Sequence, residues 1–263
     1  MYSVVIPVYN HDAYLVEAVL SAAQDRLVSE ILLADDGSRD GSLTLIEAIA
    51  QRYPEKVRDC TLRPVANIGA DATLNRLISM AGNDWIAVLN SDDKFVAGRF
   101  AAISQMRRVE RFDFCFGNLG IIDERSRVIG LKRAFLDPQY PFPDARRVER
   151  RSADLLQRLV CQNYIATTSN MVFSKAHWQS VGGFRSYRYA HDWDFAIRSM
   201  LVGKALYIAE YLTLYRLHGS NTIKDSRQLQ DAEVRSIFKT LDDDFGIFGT
   251  PDLADFVACN QYL

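Results

Sequence analysis

Three acidic clusters carry the chemistry this sequence can offer: "ADDGS" with Asp35 and Asp36, "NSDD" with Asp92 and Asp93, and "AHDWDF" with Asp192 and Asp194. Adjacent carboxylates repel each other, so such a pair calls for a cation or a polar ligand close by. A hard divalent ion takes one or two protein carboxylates and completes its shell with water and substrate phosphates, so a sparse acidic site suits a nucleoside diphosphate. A single carboxylate can also take the proton of an attacking hydroxyl. Each cluster alone has a plainer explanation, since Asp and Ser favour turns and helix N-caps, and acids favour the positive end of a helix. His218 beside Gly219 reads by itself as a turn histidine. Position decides between these readings.

The first half alternates strand-like and helix-like segments, the pattern of a parallel sheet with crossover helices in an α/β protein. "YSVVIPV" is the first strand, and "DAYLVEAVLSAA" places Leu15, Val19 and Ala22 at helical spacing. "EILLADD" is the second strand, and "GSLTLIEAIAQRY" sets Leu45 and Ile49 on one helical face with Leu43 and Ile46 beside them. "VRDCTLRP" reads as a third strand ended by Pro64, "GADATLNRLISMAG" as a helix stopped by Gly82, and "DWIAVLN" as the fourth strand. Asp35, Asp36, Asp92 and Asp93 therefore fall at carboxyl ends of strands, the edge where open α/β sheets bind ligands. Further on, "RFAAISQMRRVER" predicts a helix, "FDFCFGNLGIIDERSRVIG" a strand, turn and strand, and "SADLLQRLV" and "HDWDFAIRSMLVG" two more helices. Pro138, Pro141 and Pro143 precede a basic cluster of Arg146, Arg147, Arg150 and Arg151, which reads as a solvated face or a membrane-surface patch.

Composition narrows the function. A formal charge of -2 lacks the basic excess of a nucleic-acid binder, so no nucleic-acid partner is expected. Cys60, Cys115, Cys161 and Cys259 show no CxxC or zinc-finger spacing, and neither a structural metal nor a disulfide framework is expected. No apolar run approaches the ~20 residues that span a bilayer, and no basic leader precedes the first strand. The expectation is a cytoplasmic protein, peripheral at most to the inner face of a membrane.

The sequence resembles the inverting GT-A glycosyltransferases of family 2. The resemblance rests on "VVIPVYN", "LLADDGSRDGS", "NIGADATLN" with Asn67, Gly69 and Asn75, "DWIAVLNSDD", the "GGF" of Gly182 to Phe184, "HDWDF" and "YRLHGSN", in the family's order from Ser3 to about Asn221. It implies a GT-A fold, a mostly parallel central sheet flanked by helices. It also implies one catalytic domain over residues 1–222, with a nucleotide-binding front half at 1–98 and an acceptor side at 99–222, then a C-terminal helical extension at 223–263. Pro7, Val8, Tyr9, Asp35, Asp36, Asn67, Gly69 and Asp92 would bind the donor, a nucleotide-diphosphate sugar. Asp93 would be the direct ligand of Mn²⁺ or Mg²⁺, with His218 approaching the metal or the diphosphate, and Asp92 nearer the ribose. Asp192 would be the catalytic base, in a motif where His191 replaces the family's usual Glu.

The implied reaction moves a sugar, with inversion, to a hydroxyl of a glycan or lipid-linked acceptor, as in polysaccharide or O-antigen synthesis. Uridine is the family's common base, with thymidine and guanosine as variants. Two other classes compete. A sugar nucleotidyltransferase needs a Gly-rich basic loop after the first strand, where this chain has "PVYNHDAY". A non-catalytic nucleotide-sugar or carbohydrate-binding module would not need the retained Asp93 and Asp192.

Overall fold

Strands β1 (Tyr2–Val8), β2 (Val28–Asp35), β3 (Val57–Asp59) and β4 (Trp85–Val88) run parallel in the order β3-β2-β1-β4. β1, β4 and the second half of β2 are mostly apolar because both faces are covered there. Val4, Ile6 and Val8 enter one core while Val5 enters the other, and Ile31 and Leu33 divide from Leu32 and Ala34 in the same way. The computed structural model describes residues 1–62, 66–134, 152–219 and 227–246. Pro64 and the Pro138–Arg151 cluster lie outside the described residues.

Helices α1 (Asp12–Ala23), α2 (Ser42–Arg52) and α4 (Arg99–Val109) pack on one face through Leu15, Val19 and Ala22, Ile46 and Ile49, and Phe100 and Ile103. The expected face of α2 is turned slightly: Ser42, Ile46 and Ile49 are innermost, and Leu45 sits at the margin. The turn follows from Ser42, whose hydroxyl accepts the His11 N–H at 3.1 Å and so faces inward. On the other face lie α3 (Ala70–Met80), α5 (Ser152–Cys161), α6 (Lys175–Val181), α7 (His191–Val202) and α8 (Arg227–Phe245). Each fully buried Leu or Ile here contributes about 1.5–3 kcal/mol.

Past β4 the sheet becomes mixed. Its order continues β4-β8-β6-β9-β5, through β8 (Val172–Ser174), β6 (Phe114–Ile122), β9 (Ala205–Arg216) and β5 (Lys94–Phe95). Strand β8 is antiparallel to β4 and β6, β9 is parallel to β6, and β7 (Val128–Lys132) folds back on β6. β3 is shorter than the sequence predicts. Thr61 N–H turns back to the Asp59 carboxylate at 2.9 Å, and the Thr61 hydroxyl accepts Asp35 N–H, so the chain leaves the sheet there.

Two loops at the carboxyl edge are stitched together. Asn10 N–H donates to Ser38 Oγ at 2.9 Å, Arg39 N–H to Asn10 Oδ1 at 2.7 Å, and Gly41 N–H to Asp12 Oδ2 at 3.1 Å. The β1–α1 and β2–α2 connections thus form one rim above the parallel strands.

Candidate active site

At the nucleoside end of that rim the two aspartates of "ADDGS" have separate tasks. Asp36 is consumed by the fold: its carboxylate accepts from Ile68 N–H at 2.8 Å, Gly69 N–H at 3.1 Å and Thr73 Oγ1 at 3.1 Å. Burial pushes its pKa up against those three bonds, with repulsion from Asp35 adding to the rise. Gly69 takes φ +93° so that consecutive N–H groups can converge on one carboxylate, a conformation that L side chains resist. Asp35 gives one oxygen to Gly37 and Ser38 N–H, while its Oδ1 is buried without a partner. A buried oxygen without a donor is costly, and a donor brought by a ligand would offset that cost. Of the expected donor contacts, Tyr9 and Asn67 are exposed and Pro7 is half-buried. Val8 is corrected: its side chain lies in the core and its carbonyl accepts Asp36 N–H at 2.8 Å.

Asp92 and Asp93 follow β4 on a tight turn closed by Asp93 N–H to Asn90 O at 3.1 Å. The structure divides them differently from the sequence expectation. Asp93 is fully buried and points into the protein, where it accepts from Ser169 Oγ at 2.6 Å, Thr167 Oγ1 at 3.2 Å and Arg216 N–H at 2.9 Å. Burial and then the Asp92 charge push its pKa up to about 8, against those three bonds. With both oxygens engaged, Asp93 braces the turn, and it is Asp92 that faces the imidazoles of His11 and His218.

Asp92 Oδ2 meets His218 Nε2 at 2.9 Å, with His11 Nε2 3.9 Å away. Burial works against its charge, but the His218 hydrogen bond and the fields of His11 and His218 hold its pKa down. One donor atom from each of His11, Asp92 and His218 lies within 4.8 Å of the others. His11 is fixed through Nδ1 to Ser91 Oγ at 2.8 Å, and Tyr14 packs against both imidazoles. Arg216 holds the assembly from behind, with Nε on Asp92 O at 2.7 Å, a salt bridge to Glu17 at 3.1 Å and its guanidinium 4.7 Å from the Tyr14 ring. Two imidazoles and a carboxylate fit a divalent cation, and the nitrogen donors favour Mn²⁺ over Mg²⁺.

Asp192 stands in the first turn of α7, its Oδ1 accepting Trp193 N–H at 2.7 Å and its Oδ2 accepting Asn163 Nδ2 at 3.1 Å. Asp194, its partner in the motif, is a core residue in a buried ion pair with Arg198. Trp193 and Phe195 are also core. Tyr215 stands on β9 one residue before Arg216. Burial first, then the charges of Asp93, Asp92 and Asp192, push its phenol well up, so it stays protonated and within electrostatic reach of all three carboxylates. The sequence reading did not single out His11, Ser91, Asn163 or Tyr215. Tyr215 stood in the "YRLHGSN" motif and His11 just beyond β1, but nothing local marked either as functional.

A family model described as "Glycosyl transferase family 2" matches residues 3–177. An uncharacterized glycosyltransferase of Rickettsia prowazekii is 26% identical over 236 residues, covering 88% of this chain and 69% of that one. An uncharacterized protein of Mycobacterium tuberculosis is 25% identical over 222 residues, and the match covers 82% of this chain but only 58% of the relative's length. Among solved structures, S. aureus TarS 1–349 in complex with UDP-GlcNAc superposes with a TM-score of 0.63 at 15% identity, over 86% of this chain and 61% of that one. That likeness shows the GT-A-like fold.

Proposed function

Since the chain belongs to glycosyl transferase family 2, we propose that it transfers a sugar with inversion from a nucleoside diphosphate donor to a hydroxyl of a glycan or lipid-linked acceptor, using a metal held by His11, Asp92 and His218. The observation that carries this reading is that donor set together with a separate carboxylate, Asp192, tied to the same region through one loop: Asn163 Nδ2 donates to Asp192, Asn163 Oδ1 accepts Ala166 N–H, and the next residue, Thr167, donates to Asp93. Inversion needs one proton acceptor and no protein nucleophile, a task that a single carboxylate can perform. TarS, of similar fold, has been solved with UDP-GlcNAc.

The residues divide the work as follows. Asp35 Oδ1 accepts the ring N–H of a uracil, thymine or guanine, which all offer a donor there, whereas adenine and cytosine offer an acceptor. His11, Asp92 and His218 would hold a divalent cation, which would supply Lewis-acid charge for the departing diphosphate. Asp192 accepts the proton as the acceptor oxygen bonds to the anomeric carbon and the bond to the diphosphate oxygen breaks. Tyr215, protonated among carboxylates, donates a hydrogen bond to the diphosphate. Asp93, Ser169 and Arg216 hold Asp92 in place throughout.

The test is a panel of UDP, dTDP, GDP, ADP and CDP with Mn²⁺, read as thermal stabilisation, which grows as RT ln(1 + [L]/Kd). Nucleotide sugars of the best base are then assayed for transfer or hydrolysis. Stabilisation by UDP, dTDP or GDP with turnover supports the reading. Binding without turnover of any sugar points to a non-catalytic module, and preference for ADP or CDP contradicts the role of Asp35.

A further inference from the structure

We propose that Glu233 on α8 is a positioning residue for Asp192, which makes the C-terminal helix part of the catalytic apparatus; this rests on the reading of Asp192 as the base. The Glu233 carboxylate gathers three successive backbone N–H groups that lead into α7: Arg188, Tyr189 at 2.6 Å and Ala190 at 2.9 Å. Successive N–H groups converging on one anion form a tight cradle that fixes the backbone between them. Asp192 lies two residues past the last of these donors, so its direction is set by how that segment enters the helix.

The helix has no local substitute for this clamp. Its N-cap is Ala190, which offers no side-chain oxygen. Asp192 turns one of its own oxygens onto Trp193 N–H and, among the described residues, takes Asn163 as its side-chain partner. Other contacts from α8 act on the same segment: Phe238 meets the Trp193 ring edge-on at 5.5 Å, Thr240 Oγ1 lies 3.5 Å from Tyr187 Oη, and Asp244 pairs with Arg185. Val234, Ile237, Phe238 and Leu241 seat α8 in the core shared with α7. Helix α8, like α7, falls beyond the residues that the family model matches, 3–177. For a base that must meet an acceptor hydroxyl, a displacement of ~1 Å costs on the order of 100-fold in rate.

The experiment compares the full chain with Glu233→Ala, Glu233→Gln and Asp192→Asn. It measures kcat for donor turnover, affinity for UDP with Mn²⁺ by calorimetry, and hydrogen exchange of the Arg188, Tyr189 and Ala190 amides. Glu233→Ala is expected to lose about 100-fold in kcat, keep UDP affinity near the parent's and exchange those amides faster. Glu233→Gln, which retains one acceptor oxygen, is expected to fall between and provides the folded variant should the alanine variant not fold. Faster exchange with an unchanged kcat overturns the proposal, as does a loss of UDP affinity equal to the loss of kcat. Full turnover in Asp192→Asn removes the base reading itself. An inactive Asp192→Asn beside a fully active Glu233→Ala removes only the role of Glu233.

Discussion

Asp92 and Asp93 are neighbours in sequence and opposites in environment. Asp93 is enclosed by Ser169, Thr167 and the Arg216 N–H, whereas Asp92 faces two imidazoles. Replacing Asp93 by Ala leaves three buried donors without an acceptor, each costing about 1–3 kcal/mol. The expected result is a clear drop in the denaturant midpoint, with loss of metal-dependent binding following from the loosened turn. His11→Ala should act differently: the midpoint changes little, while Mn²⁺ affinity measured by calorimetry falls roughly 10-fold or more, a range that even outer partners of a metal command. Mg²⁺ affinity should fall less, because Mg²⁺ depends on oxygen donors. The exchange of roles between the two aspartates was not legible in "NSDD". It is set by Ser169, 76 residues away, and by the turn from Asn90 to Asp93. His11 was equally hidden, since no local pattern separates a ligand imidazole from a loop imidazole.

Helix α1 is the element that joins the His11, Asp92 and His218 cluster to the edge of the sheet. Its Glu17 reaches Ser126 in the β6–β7 turn, Lys94 on β5 and Arg216 on β9. The Ser126 hydrogen bond first, then Lys94 and Arg216, hold the Glu17 pKa down at about 2 against burial. A carboxylate with a lowered pKa favours the folded state above its ordinary value of 4.5, and that contribution is lost as pH falls toward about 2. Glu17→Gln should therefore flatten the acid side of a stability curve between about pH 4.5 and 2, followed by thermal melting, with little change in slope above it. At this scale the sequence was informative. The apolar strands and the α1, α3 and α7 patterns placed those elements, because hydrophobic periodicity is a local property. β3 was overextended because Thr61 bonds back to Asp59 across a turn that apolar patterning does not register.

For the whole molecule, the carboxyl edge of the parallel strands gathers Asp35, Asp36, Asp92 and Asp93, as the alternating pattern implied. The acceptor side was less readable. Its sheet is mixed, with β8 inserted antiparallel between β4 and β6, and pairings between distant segments leave no trace in periodicity. The hold of α8 on the start of α7 joins residues 43 to 45 positions apart and was likewise out of sight. The chain spans 58% of its mycobacterial relative and 61% of the TarS chain. The central claim is that donor capture and proton removal are separate tasks, the second belonging to Asp192. Its most direct test measures UDP affinity with Mn²⁺ and transfer rate on the same samples of parent and Asp192→Asn. The account predicts unchanged affinity and a turnover lower by about 10²–10⁴-fold; transfer by the asparagine variant at the parent's rate would contradict it.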